Sequence, residues 1–245
     1  MSKAWDGENA GMIEKMAADP SMVELTRAWF ERSCRFQYTY HFSWLGRPII
    51  QLPQDVLATQ EIIWDVKPDL IIETGIAHGG SLILWSSLLE LLGGDGRVIG
   101  IDVEIRPHNR AAIEAHPLVK RITMIEGSSV DPAVVDRVGE MARGRQTVMV
   151  MLDSSHAHEH VRRELDLYAR LVSVGSYLIV FDTSVEYLPE DLFANRPWKR
   201  GNSPATALRE FMASNHEFEV DRVIDRKLLL TSAPGGYLRR IKPPA

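Results

Sequence analysis

Apolar and polar positions alternate in blocks through the middle of the chain. Short apolar runs at 70–72, 98–101, 122–125, 148–152 and 177–181 have the length and unbroken character of parallel strands buried on both faces. Between them, 81–92, 109–115, 133–142 and 156–172 carry helical spacing; in the last, Val161, Leu165, Tyr168 and Val172 form one apolar stripe. This alternation predicts an α/β fold with a doubly wound, mostly parallel, Rossmann-like sheet. Past Asn202, a helix over 205–213 and two strands near 217–223 and 227–231, separated by Ile224-Asp225-Arg226, predict a C-terminal antiparallel hairpin. Upstream, Met12, Met16, Met22, Leu25 and Trp29 fall at helical spacings and predict a helix over 9–33. An aromatic segment at 38–44, a loop at 45–53 with two prolines and a helix over 55–66 follow. The expected organisation is an N-terminal helical and aromatic extension, 1–54, before a Rossmann-like domain, 55–245.

Composition narrows the function classes. The 245 residues are 45% hydrophobic and 25% charged, with a net charge of −5; no basic field draws the protein to nucleic acid or to an anionic membrane. Cys34 is the only cysteine, which rules out an internal disulfide or thiolate cluster and fits a reducing compartment. The first twelve residues lack the basic-then-apolar layout of a signal peptide, and no apolar stretch nears the ~20 residues of a membrane helix. A cytoplasmic protein is expected. The aromatic extension points to a homo-oligomer.

The chemistry gathers at the ends of the predicted strands. The first ends in Glu73-Thr74-Gly75-Ile76-Ala77-His78-Gly79-Gly80-Ser81 and runs into a helix. Gly75 and Gly79 let a nucleotide-like ligand approach the backbone, and helix amides with Ser81 suit the carboxylate of a methionine moiety. Read as G-x-A-x-x-G, with Gly75, Ala77, Gly80 and Asp102, the same loop fits a nicotinamide dinucleotide. Glu73 favours S-adenosylmethionine, whose amino and sulfonium groups are cationic, over a pyrophosphate. A tight turn without a ligand is the bland alternative. Asp102, at the next strand end, is placed for the ribose hydroxyls or for a helix cap. Ser128, after the third strand, suits the adenine or a cap.

The fourth and fifth strands end at Asp153 and Asp182, neighbours that can share a hard cation such as Mg²⁺. His156 is placed to take the proton of a hydroxyl acceptor. His156 and His160, four apart, also suit a Zn²⁺ site if both lie on one helix, whereas His158 and His160 read most simply as surface residues.

Together, 44–55, the Glu73–Ser81 loop, Gly100–His108, Leu152–His156, Asn195–Trp198 and Ala233–Arg239 resemble the cephalosporin-hydroxylase-like O-methyltransferases, relatives of macrolide-sugar and rhamnosyl O-methyltransferases. The resemblance covers roughly 40–240. It implies S-adenosylmethionine and Mg²⁺, with Asp153 and Asp182 as metal ligands, Asp153 and His156 catalytic, His156 as the base, and a sugar or other natural-product hydroxyl as acceptor. The family carries an acidic pair at the fifth strand end, where this chain has Phe181 before Asp182. Either water or Glu186 fills that gap, or the metal is weakly held or lost. A non-catalytic protein of the same fold is the reading that departure supports best.

Overall fold

Two helices open the chain, α1 (Lys3–Ala18) and α2 (Pro20–Cys34), in the computed structural model, which describes residues 3–243. The two residues at either end of the predicted organisation lie outside the described residues. The single helix expected over 9–33 is broken at Asp19-Pro20. Proline has no N–H to continue the ladder, and the Asp19 carboxylate caps α2 by accepting from Ser21 N at 2.8 Å. The aromatic stretch makes a short turn and β1 (Phe42–Trp44), and the proline-containing loop holds β2 (Arg47–Ile49). These pair as an antiparallel hairpin, Phe42 opposite Ile49.

The alternating core follows: α3 (Pro53–Val66), β3 (Leu70–Thr74), α4 (Gly80–Leu92), β4 (Arg97–Asp102), α5 (Pro107–Glu114), β5 (Ile122–Glu126), α6 (Pro132–Ala142), β6 (Val148–Leu152), α7 (His158–Tyr168) and β7 (Tyr177–Val180). Then come α8 (Pro204–Ser214), β8 (Phe218–Val220), α9 (Arg222–Leu228) and β9 (Tyr237–Arg240). The seven-stranded sheet runs β5-β4-β3-β6-β7-β9-β8, with β9 antiparallel to both neighbours and the other pairs parallel. Successive residues of a strand enter opposite layers. Ile72 and Val150 pack with α6, α7 and α8 on one face, and Ile71 and Met149 with α3 and α4 on the other. The chain winds outward from β3 to β5 and then restarts at β6, so the crevice of a doubly wound sheet opens between the carboxyl ends of β3 and β6.

The C-terminal antiparallel pair exists, but its second strand is β9, not 227–231. Asp221 caps a helix through Ile224-Asp225-Arg226 by accepting from Val223 N and Ile224 N. The stretch after it is pulled inward by Asp55. That carboxylate, fully buried, accepts from Thr231 Oγ1 (2.5 Å), Ser232 N (2.8 Å), Ser232 Oγ (2.9 Å) and Tyr237 OH (2.8 Å). Four donors on one buried carboxylate tie α3 to the segment entering β9 and satisfy a group that would otherwise be costly to bury.

Candidate active site

The loop after β3 is shaped by what touches it. Gly75 has φ of +94°, and a Cβ there would collide with the carbonyl of Asp153; only glycine lets the ends of β3 and β6 lie this close. Asp102, at the end of β4, accepts from Ile76 N (2.8 Å) and Ala77 N (3.2 Å) through Oδ2. Its other oxygen accepts from Glu104 N at 3.2 Å. Asp102 therefore organises the loop while it lines the cleft in front of it. Glu73 and Thr74 lie buried beneath the loop. Ser81 donates to Glu73 Oε2 at 2.9 Å. Burial pushes the Glu73 carboxyl up to about 8, and Asp102 adds to the effect against the Ser81 and Trp85 side chains. Gly79 caps α4, and Ser128 sits in the turn after β5, its carbonyl accepting from Asp131 N.

Asp153, His156 and Asp182 meet at the edge of β6 and β7, each offering a ligand atom within 4.8 Å of the others. Two carboxylate oxygens and an imidazole suit a divalent cation, so the residues present fit the metal expected from the sequence. His156 Nε2 lies 3.5 Å from Asp182 Oδ2. Its ring is met edge-on by Trp198, with centroids 4.7 Å apart at 85°. Asp182 holds a left-handed backbone, φ +55°, an unusual state for a non-glycine residue that aspartate tolerates better than most. Burial raises the Asp153 carboxyl well above the usual range, and the facing Asp182 and nearby Glu73 push it the same way. Phe181, where the resemblance implies a second acid, is buried in the core.

Glu186 does not join the three ligand residues. It accepts from Gly201 N, Ser203 Oγ and Arg209 Nη2 at 2.7–2.9 Å, anchoring the loop that carries Trp198. His156 precedes α7 rather than lying on it, so it shares no helix face with His160. His160 instead meets Ser129 Oγ at 3.0 Å and the buried Glu164 at 3.5 Å, while Ser154 donates to Glu164 at 2.7 Å. The Zn²⁺ reading fails on that geometry. His158 bridges Thr206 and Glu210 on α8.

In front of the three ligand residues lies a cleft of ≈ 700 Å³. Asp102 and Asp153 line its floor, Tyr38 and Tyr40 one wall, and Phe193 and Trp198 another. Cys34 also reaches it, but burial, with Asp182 adding, pushes the thiol up to about 11, leaving it protonated and inert. The β1–β2 hairpin is fastened to the glycine loop. Arg47 donates to the His78 carbonyl (Nε 3.1 Å, Nη2 2.6 Å) and to Asn109 Oδ1 (3.0 Å), and Asn109 donates to the Ala77 carbonyl at 2.9 Å. A Cβ on Gly80 would run into the Pro48 carbonyl, so the hairpin backbone rests directly on the start of α4. Arg47→Ala strands these acceptors at a cost of about 1–3 kcal/mol. The thermal midpoint should fall by roughly 2–12 °C; an unchanged melt would mean that the hairpin docks without Arg47.

A family model described as rhamnosyl O-methyltransferase/CmcI matches residues 36–241. The chain is 27% identical over 191 residues to the rhamnosyl O-methyltransferase of Mycobacterium tuberculosis, covering 76% of this chain and 73% of that one. Against the rhamnosyl O-methyltransferase of Mycobacterium leprae, identity is 26% over 233 residues, with 94% and 95% covered. A solved structure of CmcI with magnesium and S-adenosylmethionine is similar in fold, with a TM-score of 0.57 at 21% identity over 83% of this chain and 78% of that one. The resemblance drawn from the strand-end residues and the match over most of the chain agree, and they set the nicotinamide alternative aside. The chain belongs to the rhamnosyl O-methyltransferase/CmcI family of S-adenosylmethionine-dependent O-methyltransferases.

Proposed function

We propose that the protein methylates a hydroxyl of a sugar or another natural-product small molecule, with S-adenosylmethionine as donor and Mg²⁺ at Asp153 and Asp182. The observation that carries this reading is the convergence of Asp153, His156 and Asp182 at the floor of the cleft. The glycine loop and Asp102 bind the donor, with Glu73, Thr74, Gly75, Gly79 and Ser81 shaping its methionine end and Ser128 near its base. Asp153 and Asp182 would hold the metal, which when bound would supply positive charge that lowers the pKa of a nearby hydroxyl. His156 Nε2 takes the proton that leaves the acceptor oxygen as that oxygen bonds to the methyl carbon, whose bond to the sulfonium sulfur breaks to leave S-adenosylhomocysteine. Trp198 and the tyrosines of the extension orient the acceptor and exclude water. Among the described residues no helix is long and apolar enough to cross a membrane. The exposed Met22, Leu25 and Trp29 on α2 agree with a homo-oligomer.

Calorimetric titration with S-adenosylmethionine tests the donor. One site per chain at micromolar affinity or tighter is expected. With a panel of glycosides, label from the donor methyl group should appear in product, and a chelator should depress it. Absence of donor binding in a folded sample sinks the proposal.

A further inference from the structure

Gln51 follows the docked hairpin at the step into α3. It is 4% exposed, yet neither Nε2 nor Oε1 has a hydrogen-bond partner among the described residues. Buried carboxamides are nearly always paired, because an unmade bond leaves the desolvation of that group uncompensated. Four positions on, the fold meets that requirement in full for Asp55. Gln51 is the fully buried residue of that segment with both side-chain polar atoms unmet, whereas the half-buried Gln54 leaves only Oε1 without a partner. The hairpin just before Gln51 is held by Arg47 and by the close approach of Pro48 to Gly80.

Its surroundings identify what it waits for. Gln51 lines the narrow crevice beside the glycine loop, with Gly75, Ala77, Ser81 and Asp153, and it also lines the larger cleft. A carboxamide offers a donor and an acceptor side by side. A zwitterionic amino acid presents the complementary pair, and this crevice suits both charges. The N-terminus of α4 favours a carboxylate, and Asp153, which also lines the crevice, offers a carboxyl oxygen that can accept from an ammonium group in either protonation state.

We infer that Gln51 is a donor-binding residue, holding the amino-acid end of S-adenosylmethionine by donating from Nε2 to its carboxylate and accepting at Oε1 from its ammonium group. The inference rests on the donor reading above. It makes the N-terminal hairpin part of the donor site as well as a wall of the acceptor cleft.

The test compares S-adenosylhomocysteine with 5′-methylthioadenosine, which lacks the amino-acid end, by calorimetry on wild type and Gln51→Met. Hydrogen bonds to charged groups set the expected loss at roughly 10- to 100-fold for S-adenosylhomocysteine. Affinity for 5′-methylthioadenosine should stay within about 2-fold, and the ligand-free melt should hold or rise once an unpaired amide is removed. Unchanged S-adenosylhomocysteine affinity, equal losses for both ligands, or a lowered ligand-free melt would each overturn the assignment. Failure of wild type to bind S-adenosylhomocysteine would instead bring down the donor reading, and the inference with it, before any variant is compared.

Discussion

Asp153→Ala and His156→Ala should each lower turnover by about 10²-fold or more, with the folded state retained. Asp153 is anchored through its backbone N–H, which donates to the Thr74 carbonyl at 2.9 Å, so its side chain is delivered by the sheet rather than by a loop. It faces Asp182 across a site where its proton is held well above the usual range by burial and by that neighbour. A divalent cation relieves the repulsion, so Asp153→Ala should also weaken Mg²⁺ binding measured by titration. His156 is the residue for which the two measurements divide. If it serves as base, His156→Ala loses turnover while divalent affinity stays within about 2-fold. A second reading has a specific basis: the imidazole offers a ligand atom within 4.8 Å of one from each carboxylate, and Phe181 stands where the resemblance implies a second acid. Under that reading His156 completes the ligand set, and divalent affinity falls together with turnover. Full activity in both variants would remove these residues from the mechanism altogether.

The doubly wound core was legible in the sequence for a physical reason. Parallel strands covered on both faces must be apolar at every position, and β3 and β6 are buried along their whole length. Side chains at the carboxyl ends of such strands are then located by counting, which is how Asp102, Asp153 and Asp182 could be placed at strand ends as candidates. The N-terminal arm was less legible. Its break at Asp19-Pro20 is local chemistry and could be read, but the pairing of Phe42 with Ile49 is stabilised by Arg47 reaching a loop 31 residues away. Spacing within one segment carries no trace of that partner. The same holds for 227–231, whose strand-like apolar character lost to the Asp221 cap and to the pull of Asp55. Gln51 was invisible for a related reason. Its significance lies in partners it lacks, and an unpaired group is a property of the packed structure alone.

Glu73 should make the ligand-free enzyme lose stability as pH rises through the neutral range. Its carboxyl is fully buried and pushed up to about 8 by that burial. Below the ordinary carboxylate value, near 4.3, both folded and unfolded chains keep the proton, and nothing is lost. Above it the unfolded chain ionises freely while the folded chain keeps its proton, so unfolding gains until pH passes about 8, where both are ionised. The total is on the order of 3–5 kcal/mol. Asp55, Asp153 and Asp225 shift in the same direction and Glu186 in the opposite one, so the raw slope belongs to all of them, and the variant isolates one. Glu73→Gln keeps an acceptor for Ser81 and cannot ionise. Its advantage over wild type in urea unfolding should be small at pH 4.5 and grow by several kcal/mol by pH 8. A constant difference across that range would mean that Glu73 is already ionised in the folded protein, with its charge met by a group other than Ser81. Near-saturating donor should shrink the difference if a cation of the donor lies against this carboxylate, because the bound state then favours the ionised form and the wild type recovers what the empty site had cost it.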